Sequence, residues 1–369
     1  MFSVFENAKK NFGFGCMRLP VLDGRVDRTA FCRMIDRFME RGFNYFDTAR
    51  MYHSGDSEVA LGECLCARYP RESYFLVDKL TGHYFNTEEE VRPLFEDQLR
   101  VLGVDYLDLY LMHAQYAGNY EKYRACRAYE QAFEFKKEGR VRHVGISFHD
   151  SAKMLERILT DYPEIEVVQL QLNYLDYDDP VVEGRACYEV CQRYGKPVIV
   201  MEPVKGGALV RLSDAASAPL LAHGRGSLAS YAIRYAASFP LVGRVLSGMS
   251  DDAQMEDNLS FMENFVPFSE EEHALVREVA GIIRREEKIG CTACAYCVDG
   301  CPASIEIPRL FALYNAHMRG DDVEEEIAVA KASEGYATAC VGCGACEKIC
   351  PQHLRIRSLL HRVARTFDA

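Results

Sequence analysis

The sequence predicts an α/β protein in which a (β/α)8 TIM barrel is followed by a small, mainly α-helical domain. Three observations lead there. From residue 11 to 262, short apolar runs alternate with amphipathic stretches, the pattern of a parallel sheet with helices packed outside it. After Met262 that rhythm stops. Eight of the 15 cysteines then crowd between Cys291 and Cys350.

Eight strands are expected: Asn11 to Gly15, Phe43 to Phe46, Tyr74 to Val77, Tyr106 to Met112, Val141 to Ile146, Val167 to Leu172, Pro197 to Met201 and Arg244 to Leu246. Helical stretches such as Arg28 to Glu40, Glu88 to Leu102, Glu121 to Lys137, Ala152 to Thr160 and Ser227 to Ser238 separate them. A closed barrel suits this count better than an open doubly wound sheet. The first strand leads into Gly13-Phe14-Gly15-Cys16-Met17-Arg18, which is no G-x-G-x-x-G turn and opens no helix. Ser269, three residues before Glu272, has capping-box spacing for a helix over Ser269 to Glu287. The expected division is a barrel over 1–265, a helical linker over 266–290 and a cysteine-rich domain over 291–369.

Charge and composition exclude several classes. The chain has 369 residues, 43 Lys plus Arg against 55 Asp plus Glu, and a net charge of −12. With no dense basic block, attraction to a nucleic-acid backbone or an anionic lipid surface is not expected. No apolar run is long enough to span a bilayer, and Met1 to Lys10 lacks an apolar core, so a cytoplasmic chain is expected. In a reducing compartment, an odd and high cysteine count points to metal binding rather than a disulfide framework.

Barrels of this type do their chemistry at the C-terminal ends of the strands. Asp47 follows the second strand, Tyr52 lies in the loop after it, Lys79 ends the third strand and His113 the fourth. A phenol has a pKa of about 10 and is a poor acid near neutrality unless a neighbouring cation stabilises the phenolate. Lys79 is the candidate cation, with Asp47 holding it and a neutral His113 orienting a substrate oxygen. The set can deliver a proton to a carbonyl.

The stretch Gly42-Phe43-Asn44-Tyr45-Phe46-Asp47-Thr48-Ala49, Tyr52 five residues after the Asp, then Lys79 and Leu109-Tyr110-Leu111-Met112-His113, resembles the aldo-keto reductases and their Asp, Tyr, Lys, His tetrad. The resemblance covers residues 11 to 262. It implies hydride transfer between a nicotinamide dinucleotide, NADH or NADPH, and a small carbonyl or alcohol, with Tyr52 as proton donor. It further implies that Ser147 and Gln169 hold the nicotinamide carboxamide, and that Gly206, Gly207, Gln254 and Asn258 hold the pyrophosphate and adenosine end. Three departures stand out. Phe148 follows Ser147 where the family usually has Asn, and Met201-Glu202-Pro203 replaces the Tyr that many members stack on the nicotinamide. Asp251 and Asp252 stand where a 2′-phosphate would need Lys or Arg, so neither dinucleotide is favoured and a flavin is a further option for this pocket.

Cys291, Cys294, Cys297 and Cys301-Pro302 have the spacing C-x2-C-x2-C-x3-C-P, and Cys340, Cys343, Cys346 and Cys350-Pro351 repeat it. Two-cluster ferredoxins use this run to bind two 4Fe-4S clusters, the fourth Cys reaching the other cluster. The expected sets are Cys291, Cys294, Cys297 with Cys350, and Cys340, Cys343, Cys346 with Cys301. Gly342 and Gly344 allow close backbone approach. Zinc sites usually pair one C-x2-C with a distant second pair, unlike these two complete runs. The 38 residues from Pro302 to Ala339, with helical stretches at Pro308 to Met318 and Asp322 to Ser333, resemble the connection of α-helical ferredoxin domains.

A hydride carries two electrons and a 4Fe-4S centre normally exchanges one. The clusters therefore connect an external donor to a flavin or radical step in the barrel, dock a redox partner protein, or serve a structural or sensing role. The leading expectation is an oxidoreductase of the aldo-keto reductase type carrying a ferredoxin-type domain. Its rival is an electron-transfer or docking module whose barrel does not turn over a carbonyl.

Overall fold

The computed structural model describes residues 2–286 and 288–368; the predicted helix end at Glu287 lies outside them. Eight parallel strands close into a barrel: β1 (Phe12–Gly15), β2 (Tyr45–Asp47), β3 (Phe75–Leu80), β4 (Leu107–Gln115), β5 (Val141–Phe148), β6 (Val167–Gln171), β7 (Val198–Met201) and β8 (Val242–Ser247). Each pairs with the next, and β1 pairs with β8 through Phe12 and Val245. No helix among the described residues is long and apolar enough to cross a membrane.

The strands are apolar because both faces are covered. Helix Arg28–Glu40 shows how the outer layer is built. Asp27 caps it by accepting from the Ala30 N–H at 3.0 Å, and Phe31, Met34, Ile35 and Phe38 form its buried stripe. The Phe38 ring meets Phe14 of β1, Phe46 of β2 and Phe43 just before β2. Inside, the N-terminal end is plugged. Val4, Phe5 and Ala8 pack with Tyr45, Phe75, Leu109 and Ile199, and a Cβ at Gly243 would come within 2.1 Å of the Phe5 ring. The buried Arg244 guanidinium donates to the Ala8 carbonyl at 2.5 Å. The opposite end is left for chemistry.

Three local features differ from the sequence expectations. The single helix expected over Glu121 to Lys137 is two, Ala117–Ala125 and Ala128–Lys137, broken at Arg127 with φ 47°. On one continuous helix Tyr123 and Tyr129 would point ~120° apart. The break lets both reach the strand layer, Tyr123 Oη donating to Leu80 O at 2.7 Å and Tyr129 Oη to Gln115 Oε1 at 2.7 Å. Helices Asp56–Leu61, Gly184–Arg193, Asp214–His223 and Asp252–Met262 are also present. Finally, Cys32 and Cys64 form a disulfide across a 4.7 Å Cα separation, where the cysteine count had argued against disulfides.

The capping box at Ser269 forms: Ser269 N donates to Glu272 Oε2 at 2.9 Å and Glu272 N to Ser269 Oγ at 3.2 Å. Glu272 also accepts both ends of the buried Arg234 guanidinium, at 2.8 and 3.2 Å.

The chain divides into two compact units, residues 1–203 with 229–273, and residues 204–228 with 274–369. The second unit thus takes in the segment after β7, which the sequence reading placed with the barrel. Its other helices are Ile307–Arg319, Glu324–Lys331, Ala345–Ile349 and Ile356–Phe367, and no strand occurs among its described residues. Ile289, Ile305, Leu310, Phe311, Tyr314, Ile356, Leu360 and Val363 make its core. Asn315 pins the approach to the first cysteine run, accepting from Ile289 N and donating to Ile289 O, both at 2.8 Å.

Candidate active site and cysteine cavities

Strand register brings the four polar residues together. Asp47 lies opposite Gly15 on one side and Val77 on the other, and Lys79, two residues further along β3, faces Leu111 of β4. Lys79 Nζ donates to Asp47 Oδ1 at 2.5 Å and to the Thr48 carbonyl at 2.7 Å. The same ammonium lies 4.7 Å from the centre of the Tyr52 ring, whose centroid is 5.9 Å from that of His113. All four side chains are buried.

Burial sets the protonation states. It pushes the Asp47 carboxyl upward, and Lys79 and the Gln169 amide pull against it. Desolvation, with the charge of Asp47 second, holds the Tyr52 hydroxyl well above the usual phenol range. This corrects the expectation that Lys79 lowers it: loss of water outweighs the cation. The phenol keeps its proton, the form a donor requires. His113 is driven well below the usual imidazole range by burial first and by Lys79 second, so it is neutral at pH 7.

Several neighbours carry no sequence signal of their own. Thr81, two residues past Lys79, places its hydroxyl 2.7 Å from His113 Nδ1. Tyr123 Oη, its proton on Leu80 O, lies 3.1 Å from the carbonyl of His113 and accepts from Gly82 N at 2.8 Å. Cys16, just past β1, is buried, its N–H bonds the Asp47 carbonyl at 2.8 Å, and its thiol is raised by burial and by Asp47. Glu202 follows β7 at a left-handed φ of 56° with its carbonyl held by Asn173 Nδ2 at 3.0 Å; its charge is felt at Tyr52.

The residues assigned to the dinucleotide are distributed differently. Ser147 and Gln169 face each other in register on β5 and β6, and Gln169 Nε2 donates to Asp47 Oδ2 at 3.1 Å. Asn258 is buried with Nδ2 on Ser247 Oγ at 2.9 Å, tying its helix to the end of β8. Gln254 is at the surface and closes a turn with Asp251 and the Ser250 N–H. Gly206 and Gly207, at φ 62° and 90°, belong to the second unit. A Cβ on Gly206 would lie 2.3 Å from the Thr292 carbonyl oxygen, so local packing alone demands glycine there.

In the second unit, Cys291, Cys294, Cys297 and Cys350 line one cavity. Cys301, Cys340, Cys343 and Cys346 line another. The grouping follows from the backbone. Ala293, Ala295 and Ser304 have φ of 53°, 64° and 48°, and their counterparts 49 residues later, Gly342, Gly344 and His353, have 73°, 73° and 50°. Each run is the same left-handed curl, wrapping three thiols inward before a turn throws the fourth across. The Ala293 N–H already points at Cys291 Sγ, at 3.4 Å. Burial, then the neighbouring Cys294, Cys291 and Cys350, push the Cys297 thiol up to about 12; such crowded sulfurs need a cation between them to ionise. Among the described residues no group of three or more His, Cys, Asp or Glu converges as a single ion requires. Thiols spread around a cavity suit a polynuclear group, and the residues present fit a 4Fe-4S cluster.

A buried Tyr–Lys–Asp–His rim and two four-cysteine cavities are the parts of an oxidoreductase. Comparison with known proteins gives the family. The Aldo/keto reductase family model matches residues 11–280 and a 4Fe-4S dicluster domain matches residues 290–354; the chain belongs to the aldo/keto reductase family. Relatives include the NADH-specific methylglyoxal reductase of Escherichia coli (strain K12), 28% identical over 207 residues, 52% of this chain and 61% of that protein. Methylglyoxal reductase YeaE of the same strain is 35% identical over 118 residues, 32% of this chain and 39% of its own length. The chain therefore spans less than two thirds of either relative. Among solved structures, the holo form of aldo-keto reductase AKR11C1 from Bacillus halodurans has a TM-score of 0.61 at 26% identity, covering 73% of this chain and 92% of that one. An aldo/keto reductase from Klebsiella pneumoniae, solved with NADP and acetate, has a TM-score of 0.59 at 20% identity over 73% and 91% of the two chains and shares the fold.

Proposed function

We propose that the barrel reduces a small carbonyl, or oxidises the matching alcohol, with a nicotinamide dinucleotide, and that two 4Fe-4S clusters exchange single electrons with a redox partner protein. The observation that carries the first half is the Lys79 ammonium, fixed 2.5 Å from Asp47 and 4.7 Å from the Tyr52 ring. When bound, the dinucleotide supplies or accepts the hydride. Tyr52 gives its proton to the carbonyl oxygen, and Lys79 stabilises the phenolate left behind. With the Thr81 hydroxyl donating to His113 Nδ1, the neutral imidazole keeps a proton on Nε2 and donates it to the same oxygen. The names of two relatives suggest a dicarbonyl such as methylglyoxal as the first compound to try.

The second half rests on the two cavities. Cys291, Cys294, Cys297 and Cys350 hold one cluster, and Cys340, Cys343, Cys346 and Cys301 the other. Exposure of Cys343, Val341 and Ile349 leaves the second cluster's surface open to a partner.

The deciding experiment mixes the anaerobically purified chain with NADH or NADPH, with and without methylglyoxal. Dinucleotide oxidation only in the presence of the carbonyl supports the reductase reading. Bleaching of the iron–sulfur absorbance by dinucleotide alone, with no carbonyl turnover, supports the electron-transfer module instead. Within the reductase reading, Thr81→Val is expected to lower kcat/KM about tenfold, the worth of one hydrogen bond of about 1.4 kcal/mol, with dinucleotide affinity unchanged in a fluorescence titration.

A further inference from the structure

The chain carries a net charge of −12, yet its last helix is basic: from His353 to Phe367 stand Arg355, Arg357, Arg362 and Arg365, with no Asp or Glu among them. In sequence they form no run. Helix Ile356–Phe367 gathers them. At about 100° per residue, Ile356, Leu360 and Val363 fall on one stripe, which is buried in the core of the second unit. Arg355, Ser358, His361, Arg362 and Arg365 fall on the opposite side, and all are exposed. Arg357 is held by Glu347 at 2.8 Å, whereas Arg355, Arg362 and Arg365 meet no carboxylate within ion-pair reach among the described residues.

This face begins at the second cavity. Arg357 and Leu360 line it beside Cys301, Cys340, Cys343 and Cys346, and Arg357 Nη1 donates to the Gly342 carbonyl at 3.3 Å. Next to Gly342, Cys343 is exposed, and so are Val341 at 69% and Ile349 at 45%. Lys348 adds another exposed cation. A small apolar patch with charges at its rim is the make-up of a transient protein interface, and here it includes a thiol of the cavity. The first run offers nothing comparable, since from Cys291 to Cys301 the one charged residue is Asp299.

We propose that the face bearing Arg355, Arg362 and Arg365, with Lys348, docks a small acidic electron-carrier protein against the cluster held by Cys301, Cys340, Cys343 and Cys346. The inference rests on the cluster reading given above and adds the chemistry of the partner. A positive face on an otherwise negative molecule turns an anionic partner toward it during approach, and the remaining negative surface disfavours other orientations. A second copy of this chain fits less well, because each copy carries −12. One electron passes at a time: the carrier's centre is oxidised by one electron, the cluster is reduced by one, no bond forms or breaks, and no proton moves.

The test uses the full chain, reconstituted anaerobically with iron and sulfide. Fully reduced flavodoxin, an acidic one-electron donor whose own oxidation is followed at long wavelength by stopped flow, is the probe. Reduced methyl viologen, a small cation that needs no docking face, is the comparison donor. The rate with flavodoxin should fall steeply as salt is raised. Arg355→Gln combined with Arg362→Gln should lower it about tenfold or more at low salt and flatten the salt dependence. Viologen should reduce the variant no more slowly than the unaltered chain, and Arg355→Lys with Arg362→Lys should retain the flavodoxin rate. An unchanged rate and salt slope in the Gln variant at full iron content would overturn the proposal, as would a chain that viologen reduces and flavodoxin does not. Salt-sensitive self-association lost in the same variant, or binding to anionic vesicles lost in it while the flavodoxin rate stands, would overturn it in favour of a second copy or a lipid surface. Failure of viologen to reduce any cluster would instead overturn the cluster reading on which the proposal rests.

Discussion

Replacement of Tyr52 by Phe is expected to lower carbonyl turnover by about 100- to 10,000-fold, the usual worth of a positioned general acid, while dinucleotide affinity stays within about twofold. The change removes one oxygen and keeps the ring, so the packing against Lys79 and His113 survives. What disappears is the proton that burial keeps on the phenol. Lys79 cannot take its place as donor without uncovering Asp47, which is buried and accepts from it at 2.5 Å; leaving a buried charge unpaired costs about 3–5 kcal/mol. Stopped-flow measurement of dinucleotide oxidation, with binding read separately by fluorescence, checks the result. Full turnover in the variant would remove Tyr52 from the chemistry.

The second large effect concerns the crossed ligand sets. Cys350→Ser is expected to abolish the cluster bounded by Cys291, Cys294 and Cys297, and Cys301→Ser the cluster bounded by Cys340, Cys343 and Cys346, each variant falling from about eight to about four iron atoms per chain. If each cluster were instead held by its own run of four, the assignments would be exchanged. The double variant is expected to retain little iron, and the core of Phe311, Tyr314 and Leu360 beside the cavities should then melt at lower temperature.

The barrel was legible because its signals are periodic. Eight apolar runs at regular intervals leave little freedom once each must be covered by a helix, and the side chains that end them fall on one rim as a matter of topology. Asp47, Lys79 and His113 needed only their positions. Thr81, Tyr123 and Glu202 did not show, because a threonine two residues past a lysine, a tyrosine inside a helix and a glutamate before a proline have many ordinary uses. The break at Arg127 was invisible for a different reason: it serves tertiary contacts of Tyr123 and Tyr129, which local propensity does not encode. The cysteine runs gave both cavities, since spacing and the Pro after each fourth Cys are local constraints. Gly206 was assigned to the pyrophosphate by the family resemblance alone; its close neighbour Thr292 lies 86 residues along the chain, a separation that no motif can bridge.

The plugged floor of the barrel bears on traffic. With Phe5 seated against Gly243 and Arg244 bonded to the backbone beneath it, the described residues close that end of the barrel. Under the proposed reductase reading both reactants would then enter from the opposite rim, and the one seated deeper would bind first and leave last.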